Sequence, residues 1–494
     1  MAAMRVLRVG LLVAVALAAA GCGTKKQPGS VSAGAEFAPA SVPLYVSVST
    51  DPNGSQWKAG ERLLSKFPGR EMLFASARKD LKKQGLDWNR DVKPALPDTV
   101  QVVFLDFANN GTDVVGYARP KDEIKFNKLL ESGSSPAVHR KIDGWTVFAD
   151  KSAILDRFAS ARVSGDSLSS VKSFRDAIAK LPSNAAIRGW VSGSSVQAEI
   201  DKQAAKNPSA QQFKQFSQSF GKLESASFSA GAEDQGVNVQ AAYQTSNAPK
   251  LGNFSSELVG ALPSGALVYV SFGNLQDYLN QVVQSADSNL PQFQKQRSQI
   301  EQALGFSLKD DLFPLFSKEG AVAVYRGGEL LPNVVFALRV PDESKAQRVI
   351  DRLAALADLS GGKTATVMVK GVTAKEISDP NSGISVIAAV TGGKAFVTNS
   401  KAALEQALGG SKKLSDDSVF RNARQASGAP DKTTGFIYVN LRAGLPYLFD
   451  FAQSSQPGSI TPDVRANTKP LDSVFFYGKQ DGDRVSVSGF LTIK

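Results

Sequence analysis

Cys22 is the only cysteine in the 494 residues, and the residues before it indicate what chemistry its thiol undergoes. An apolar run over residues 9–20 precedes it, and Arg5 and Arg8 precede that run. A charged start, a short apolar run and small residues before a cut are typical of an export signal. The run is shorter than the roughly 20 apolar residues that a membrane-spanning helix needs. A lone thiol in an exported chain has no intramolecular disulfide partner, so we expect Cys22 to be modified.

The residues Ala19, Ala20, Gly21 and Cys22 resemble the lipobox of bacterial lipoproteins. The resemblance implies that residues 1–21 are a lipoprotein signal peptide and that Cys22 is diacylated and becomes the new N-terminus. It also implies that the protein is extracytoplasmic and lipid-anchored to the bacterial cell membrane, where two acyl chains hold stably. The alternative is an ordinary cleaved signal. Residues 22–36, rich in Gly and Ser, are predicted to form a flexible tether.

Two serine–lysine pairs, Ser76 with Lys79 and Ser169 with Lys172, match the SxxK pattern of serine acyl transferases. That chemistry also uses SxN and KTG motifs. The sequence contains no SxN, and its nearest approach to KTG is KTA at residues 363–365. Both pairs are predicted to lie on solvated faces of amphipathic helices. The sequence therefore predicts a protein that is not an enzyme, with an envelope hydrolase as a minor alternative.

Metal and cofactor chemistry find little support in the sequence. His139 is the only histidine, which excludes most catalytic triads and histidine zinc sites, and we expect it on an exposed loop or a strand edge. Acidic pairs could suggest calcium, but each falls at a predicted helix start or hairpin turn, where Asp is common. These pairs are Asp310 with Asp311, Asp416 with Asp417, and Asp481 with Asp483. We predict no metal and no cofactor.

The charge of the chain is modestly positive and spread along its length. The formal net charge is +11, and removal of Arg5 and Arg8 with the signal leaves 55 cations against 46 anions, or +9. Such a surface favours anionic lipid or acidic glycopolymer as a partner. Nucleic acid is not an expected partner behind an export signal. No later apolar run approaches the length of a membrane span.

From residue 37 onward, short segments recur in the same order, which predicts an internal duplication. The two lobes are predicted at residues 37–247 and 254–494, with an extra segment at about residues 364–390 in the second. The recurring pairs of segments are residues 41–49 with 265–273, 86–96 with 306–316, 143–155 with 392–404, and 223–228 with 471–476.

Within each lobe, strands alternate with helices. Segments with a period of two predict half-buried strands, and Asp122 and Asp342 are placed to cap helices that follow strands. Each lobe ends in a predicted hairpin, with turns at residues 233–236 and 481–483. The fold class is therefore predicted to be α+β, with two homologous lobes that each pack helices on a mostly antiparallel or mixed sheet. Residues 197–222 are predicted to form a helical pair added to the first lobe.

With these elements assigned, the chain resembles a bacterial envelope family known as domain of unknown function 3352. The segments that carry the resemblance are Pro43 with residues 45–47, the KFPG of residues 66–69, residues 91–96, and residues 143–150. The resemblance implies an envelope location and no established activity, so it assigns no site residues.

The sequence favours a non-enzymatic binding or interaction protein of the cell envelope, held to the membrane through acylated Cys22. Its partner would be an unknown envelope protein, a glycopolymer or a lipid. The alternative is a carrier or sensor of a lipid-like ligand held between or within the two lobes, because the chain contains 28 phenylalanines.

Overall fold

The computed structural model describes residues 33–494 apart from 109–110, 133–134, 208, 212–213, 215–220, 249, 290, 329–330, 380–384 and 411. The predicted signal peptide, Cys22 and most of the tether lie outside these residues. The chain forms two compact units. Unit 1 contains residues 33–247 with Pro462–Pro470 and Leu491–Lys494, and unit 2 contains Ala248–Thr461 with Leu471–Phe490. Two segments that the sequence places in the second lobe thus belong to unit 1.

Unit 1 begins with a short helix and then alternates strands with helices. Its elements are α1 (Ala33–Phe37), β1 (Leu44–Ser49), α2 (Ser55–Ser65), α3 (Arg70–Lys83), β2 (Thr99–Phe104), β3 (Val114–Ala118), α4 (Glu123–Glu131), β4 (Val138–Ile142), β5 (Trp145–Ala149), α5 (Ser152–Val163), α6 (Lys172–Ile178), β6 (Ile187–Ser192), α7 (Gly193–Ala204), β7 (Lys222–Glu233) and β8 (Gly236–Ser246). The Asp122 carboxylate accepts the Lys125 N–H at the start of α4, as predicted.

The strands of unit 1 pair antiparallel in the spatial order β4, β5, β3, β2, β1, β6, β7, β8. Tyr45 on β1 is opposite both Val103 on β2 and Trp190 on β6, so these three side chains share one sheet face. Phe174 of α6 packs edge-on against Tyr45 and Trp190, at ring-centroid distances of 5.4 and 5.6 Å. The aromatic core of unit 1 therefore lies between this face and α6.

Unit 2 repeats the alternation of strands and helices. From residue 248 to the C-terminus the elements are β9 (Val268–Gly273), α8 (Leu275–Asn289), α9 (Pro291–Leu304), β10 (Glu319–Tyr325), β11 (Asn333–Arg339), α10 (Glu343–Leu359), β12 (Lys363–Val369), β13 (Val372–Ser378), β14 (Ser385–Thr391), β15 (Lys394–Thr398), α11 (Lys401–Ala407), α12 (Ser418–Ser427), β16 (Gly435–Val439), α13 (Leu441–Ser455), α14 (Pro462–Thr468), β17 (Leu471–Asp481) and β18 (Arg484–Ile493). Among them, α14 belongs to unit 1. Asp342 caps α10 by accepting the Lys345 N–H, as predicted.

The strands of unit 2 pair antiparallel in the order β12, β13, β14, β15, β11, β10, β9, β16, β17. Within it, the order β14, β15, β11, β10, β9, β16, β17 matches the order β4, β5, β3, β2, β1, β6, β7 in unit 1. The hairpin β12–β13 occupies the extra segment that the sequence predicts in the second lobe. The core face contains Tyr269, Phe436, Tyr438 and Phe475, with Phe420 of α12 packed on it.

The described residues are about 41% helical and 31% strand, which confirms the α+β class. Within residues 197–222, predicted as a helical pair, the described part includes the remainder of α7, and α13 follows β16 in unit 2 as α7 follows β6 in unit 1. Both helices begin directly after a short strand, where a Ser or Asn side chain caps the first turn. Among the described helices, none is both long and apolar enough to cross a membrane.

Candidate functional site

The serines of the two SxxK patterns lie in different surroundings. Ser76 and Lys79 are both exposed on α3. Ser169 lies in a 3-10 turn, not on an amphipathic helix as predicted, because its Oγ is 2.7 Å from Ser167 Oγ and the segment turns before α6 begins. Lys172 forms an ion pair with Asp176. The exposure of Ser76, Lys79 and Lys172 is typical of solvated surface residues.

His139 is on β4, which pairs with β5 at one end of the unit 1 sheet. Its Nε2 is 3.0 Å from Glu131 Oε1, and its side chain is 21% exposed. This placement agrees with the expectation of an edge position. The ring links β4 to the end of α4.

The acidic pairs cap backbone N–H groups. Asp417 accepts the N–H groups of Val419 and Phe420 at the start of α12. Asp311 accepts the Ser307 N–H at 2.9 Å, and Asp483 accepts the Ala248 N–H at 3.1 Å. Within the described part of the chain, no three His, Cys, Asp or Glu residues come close enough to hold a metal ion.

The segments that carry the family resemblance have structural roles. Asp91, in a π-helical turn (Trp88–Val92), is buried and accepts from Arg90 at 2.8 Å, from the Asp87 N–H at 2.8 Å and from Lys128 at 3.3 Å. The Arg90 guanidinium, followed by the Asp87 N–H, holds the pKa of Asp91 well below its usual range. This carboxylate joins the turn to α4.

A second of these segments is the turn between β4 and β5. Asp143 and Gly144 have φ angles of 45° and 77°, as a two-residue hairpin turn requires. The turn places Trp145 in the core of unit 1, where the Arg119 guanidinium lies 4.4 Å from the centre of its ring. The aspartate and glycine therefore serve chain reversal, and the tryptophan serves packing.

A cleft in unit 2 is the described feature best suited to binding. Its volume is about 440 Å³. It lies between a 3-10 turn (Leu258–Gly260), the end of α12 and the strands β16 and β17. Its apolar lining consists of Val259, Ala261, Ala429, Pro430, Phe436 and Phe475. This size and composition suit a small or slender ligand with a large apolar part.

The floor of the cleft is aromatic. The rings of Phe436 and Phe475, on neighbouring strands, are stacked with centroids 5.2 Å apart and planes 13° apart. Phe420 packs against both rings from α12, at 6.0 and 5.9 Å. Because Phe420 is itself buried, it fixes the two floor rings in place.

Charged side chains stand at the rim of the cleft. Arg424 donates from Nη2 to the carbonyl oxygen of Pro430 at 3.1 Å and to Asp431 Oδ1 at 3.2 Å. Glu257 forms an ion pair with Arg339 and is 65% exposed. Ser256, Ser415 and Thr433 add hydroxyl groups. The cleft thus has an apolar floor and a polar, mixed-charge entrance.

One wall of the cleft is held by a buried carboxylate. Glu319, 4% exposed, accepts the backbone N–H groups of Glu257 at 2.7 Å and Leu258 at 2.9 Å, and also bonds with the Ser256 hydroxyl. Burial raises the pKa of Tyr269, and the charge of Glu319 raises it further. Glu319 therefore fixes the 3-10 turn above the aromatic floor.

A family model described as "Protein of unknown function (DUF3352)" matches residues 121–476. The chain belongs to the DUF3352 family. No curated protein matches it. Among solved structures, crystal form IV of TP0453 is similar over 48% of this chain and 92% of that chain, with 12% identity and a TM-score of 0.25. Crystal form I of TP0453 covers 47% and 78%, with 15% identity and a TM-score of 0.23.

Sequence reasoning did not find the cleft of this DUF3352 protein. The sequence places a lipid-like ligand between or within the two lobes without naming residues, and the cleft described above lies within unit 2. Phe436 and Phe475 fall on strands that read as core strands, and both are less than 10% exposed.

Proposed function

We propose that this DUF3352 protein is a membrane-anchored, extracytoplasmic lipoprotein that acts as a non-enzymatic binding protein of the cell envelope. Residues 1–21 are its signal peptide, and acylated Cys22 anchors it to the cell membrane. The observation that carries the binding role is the cleft in unit 2, which has an ordered aromatic floor and a wall fixed by Glu319.

The first described residues, in α1, pack against the core of unit 1, so a tether before them would end at a fixed point. Phe37 of α1 is 5% exposed and stacks on Trp145 at 5.1 Å, and Tyr117 donates from its hydroxyl to the Gly34 carbonyl oxygen at 2.7 Å. A fully extended chain from Cys22 to Ala33 spans about 40 Å. An anchor at Cys22 would therefore hold unit 1 within that distance of the bilayer.

Labelling with palmitate tests the anchor. Cells that express the full-length chain are expected to incorporate label into it, and the protein is expected in the membrane fraction. Cys22→Ala is expected to lose both the label and the membrane association. If the variant keeps both, the lipid anchor is wrong.

A second candidate function, a carrier or sensor of a lipid-like ligand, is favoured by the stacked floor of Phe436 and Phe475. A slender apolar chain would lie over Phe436, which is 9% exposed and stacks on the buried Phe475, while its polar end meets the charged rim. This ligand site lies within one unit.

Filling the cleft tests this second function. Gly260 lines the cleft, and a Cβ added there would meet no atom within 4 Å, so Gly260→Trp adds volume without a backbone clash. Native mass spectrometry of the full chain from its host is expected to show a bound mass that Gly260→Trp lacks. Gly165→Trp in unit 1, where an added Cβ would meet only the Ala161 carbonyl oxygen at 3.9 Å, should retain it. A bound mass that persists in Gly260→Trp, or none in the unaltered chain, would exclude the cleft as the ligand site.

We also propose that the two units arose by internal duplication. The strands from β14 to β17 follow the pairing order of β4 to β7, and the helices between them occur in the same sequence. The segment around Tyr45 recurs around Tyr269. In the same alignment, the core residue Phe37 corresponds to Ala261 beside the cleft. The copies would thus have diverged at this position, one toward a packed core and the other toward a cavity.

A further inference from the structure

Helix α13 (Leu441–Ser455) is apolar yet buries none of its residues. Leu441, Leu445, Leu448 and Ala452 fall on one face at helical spacing. On or beside this stripe, Leu448 is 58% exposed and Phe451 is 44% exposed. A scattered exposed leucine needs no explanation, but here Leu448 and Phe451 are both exposed while the other members of the stripe are only half-buried, which marks an interaction surface.

The sheet next to α13 is also incompletely covered. Ile437, on β16 between β9 and β17, is 43% exposed although its strand has neighbours on both sides. Its cross-strand partners on the same face are Val270 and Phe476. Because α13 packs against β17, the exposed apolar residues of the helix and the strand lie in the same part of unit 2.

Cations accompany this apolar surface. Arg442 is exposed near the start of α13, and the Arg326 guanidinium lies 5.5 Å from the centre of the Tyr447 ring. The only carboxylate on α13 is Asp450, which the helical repeat places on the opposite side from Leu441. The surface therefore combines leucine and phenylalanine with a tyrosine and two arginines.

We propose that α13 docks onto the surface of a bilayer that contains anionic phospholipid. Leu448 and Phe451 enter the boundary of the acyl chains, Tyr447 lies at headgroup depth, and Arg326 and Arg442 meet lipid phosphates. Apolar residues flanked by cations fit such a surface better than they fit a neutral protein interface. The inference rests on the proposed membrane location, and it adds a second contact beside the anchor at Cys22.

A fluorescent label at position 448 tests the docking. The full chain with Leu448→Cys, labelled with nitrobenzoxadiazole, is mixed with vesicles of phosphatidylethanolamine and phosphatidylglycerol. We expect a blue shift, together with quenching by lipids brominated in their acyl chains. The same label at Leu359→Cys is the matched control, since Leu359 ends α10 and is 85% exposed. The labelled unaltered chain corrects for any reaction at Cys22.

Two outcomes would contradict docking onto a bilayer. Equal responses at positions 448 and 359 would overturn docking, and a shift that depends on protein concentration without vesicles would indicate a second copy of the chain instead. Arg326→Gln with Arg442→Gln is expected to reduce the response to anionic vesicles toward that with phosphatidylcholine, and an unchanged response would refute the headgroup contacts. A response at position 448 in a chain that takes up no palmitate would support docking while refuting the lipid anchor.

Discussion

Lys66 Nζ donates a 2.8 Å hydrogen bond to the carbonyl oxygen of Ile493, which lies 427 positions later in the chain. Close by in sequence, the Gly69 N–H donates to Asn467 Oδ1 at 2.6 Å. Both bonds join the KFPG segment of residues 66–69 to the C-terminal segments that belong to unit 1. They give a physical reason for the grouping of those segments with unit 1 despite their distance in sequence.

Asn467→Ala is expected to destabilise unit 1 by about 1 kcal/mol, because it leaves the Gly69 N–H without its acceptor. Urea denaturation measures the loss, and hydrogen exchange should quicken at the Gly69 amide. Asn467→Asp keeps the oxygen that accepts from Gly69 but loses the bond from Asn467 Nδ2 to the Asp463 carbonyl oxygen, so it is the control for that second bond. Equal losses in the two variants would mean that the bond from Gly69 contributes nothing.

Asp91 is expected to contribute stability that disappears in acid. Its pKa is lowered in the folded protein by Arg90, the Asp87 N–H and Lys128. A lowered pKa means that the folded state binds fewer protons than the unfolded state, so the contribution is complete above the ordinary aspartate pKa of about 3.9 and is lost as the pH falls through the folded value.

Denaturation midpoints at pH values from 7 down to 3 test this role. Asp91→Asn should lower stability near neutral pH and flatten the decline in acid. Asp166→Asn, at an exposed aspartate, is the control and should follow the unaltered chain. A parallel decline in acid for Asp91→Asn and the unaltered chain would show that other carboxylates govern it.

Glu319→Ala is expected to cost about 3 kcal/mol, because it removes a charged acceptor and leaves two backbone N–H groups of the cleft wall unpaired. Urea denaturation reports the cost, and hydrogen exchange should increase at the amides of Glu257 and Leu258. Glu319→Gln keeps one accepting oxygen and should lose less. If exchange at those two amides is unchanged in Glu319→Ala, the carboxylate does not hold the wall.

The sequence predicted the features that depend on local chemistry. Strand segments, the caps at Asp122 and Asp342 and the hairpin turns at residues 233–236 and 481–483 follow from residues within a few positions of one another. The cleft, the exposed stripe of α13 and the bond from Lys66 to Ile493 depend on where distant segments meet. Phe436 and Leu448 are both apolar residues at core-like spacing, and only the structure shows that one lines a cleft and the other faces solvent.

Phe37→Ala is expected to destabilise unit 1 by about 3–5 kcal/mol, because the ring is buried among Tyr117, Trp145 and Phe158 and a cavity would replace it. It would also remove the face over which the Arg162 guanidinium lies, 3.9 Å from the ring centre. Since α1 is the end point of the tether, limited proteolysis should release the N-terminal segment before unit 1 unfolds globally. Phe451→Ala, at a 44% exposed phenylalanine, is the matched control and should leave stability within about 0.5 kcal/mol. If both variants lower the free energy of unfolding by the same small amount, Phe37 does not fix α1 to unit 1, and the tether is attached at another part of the chain.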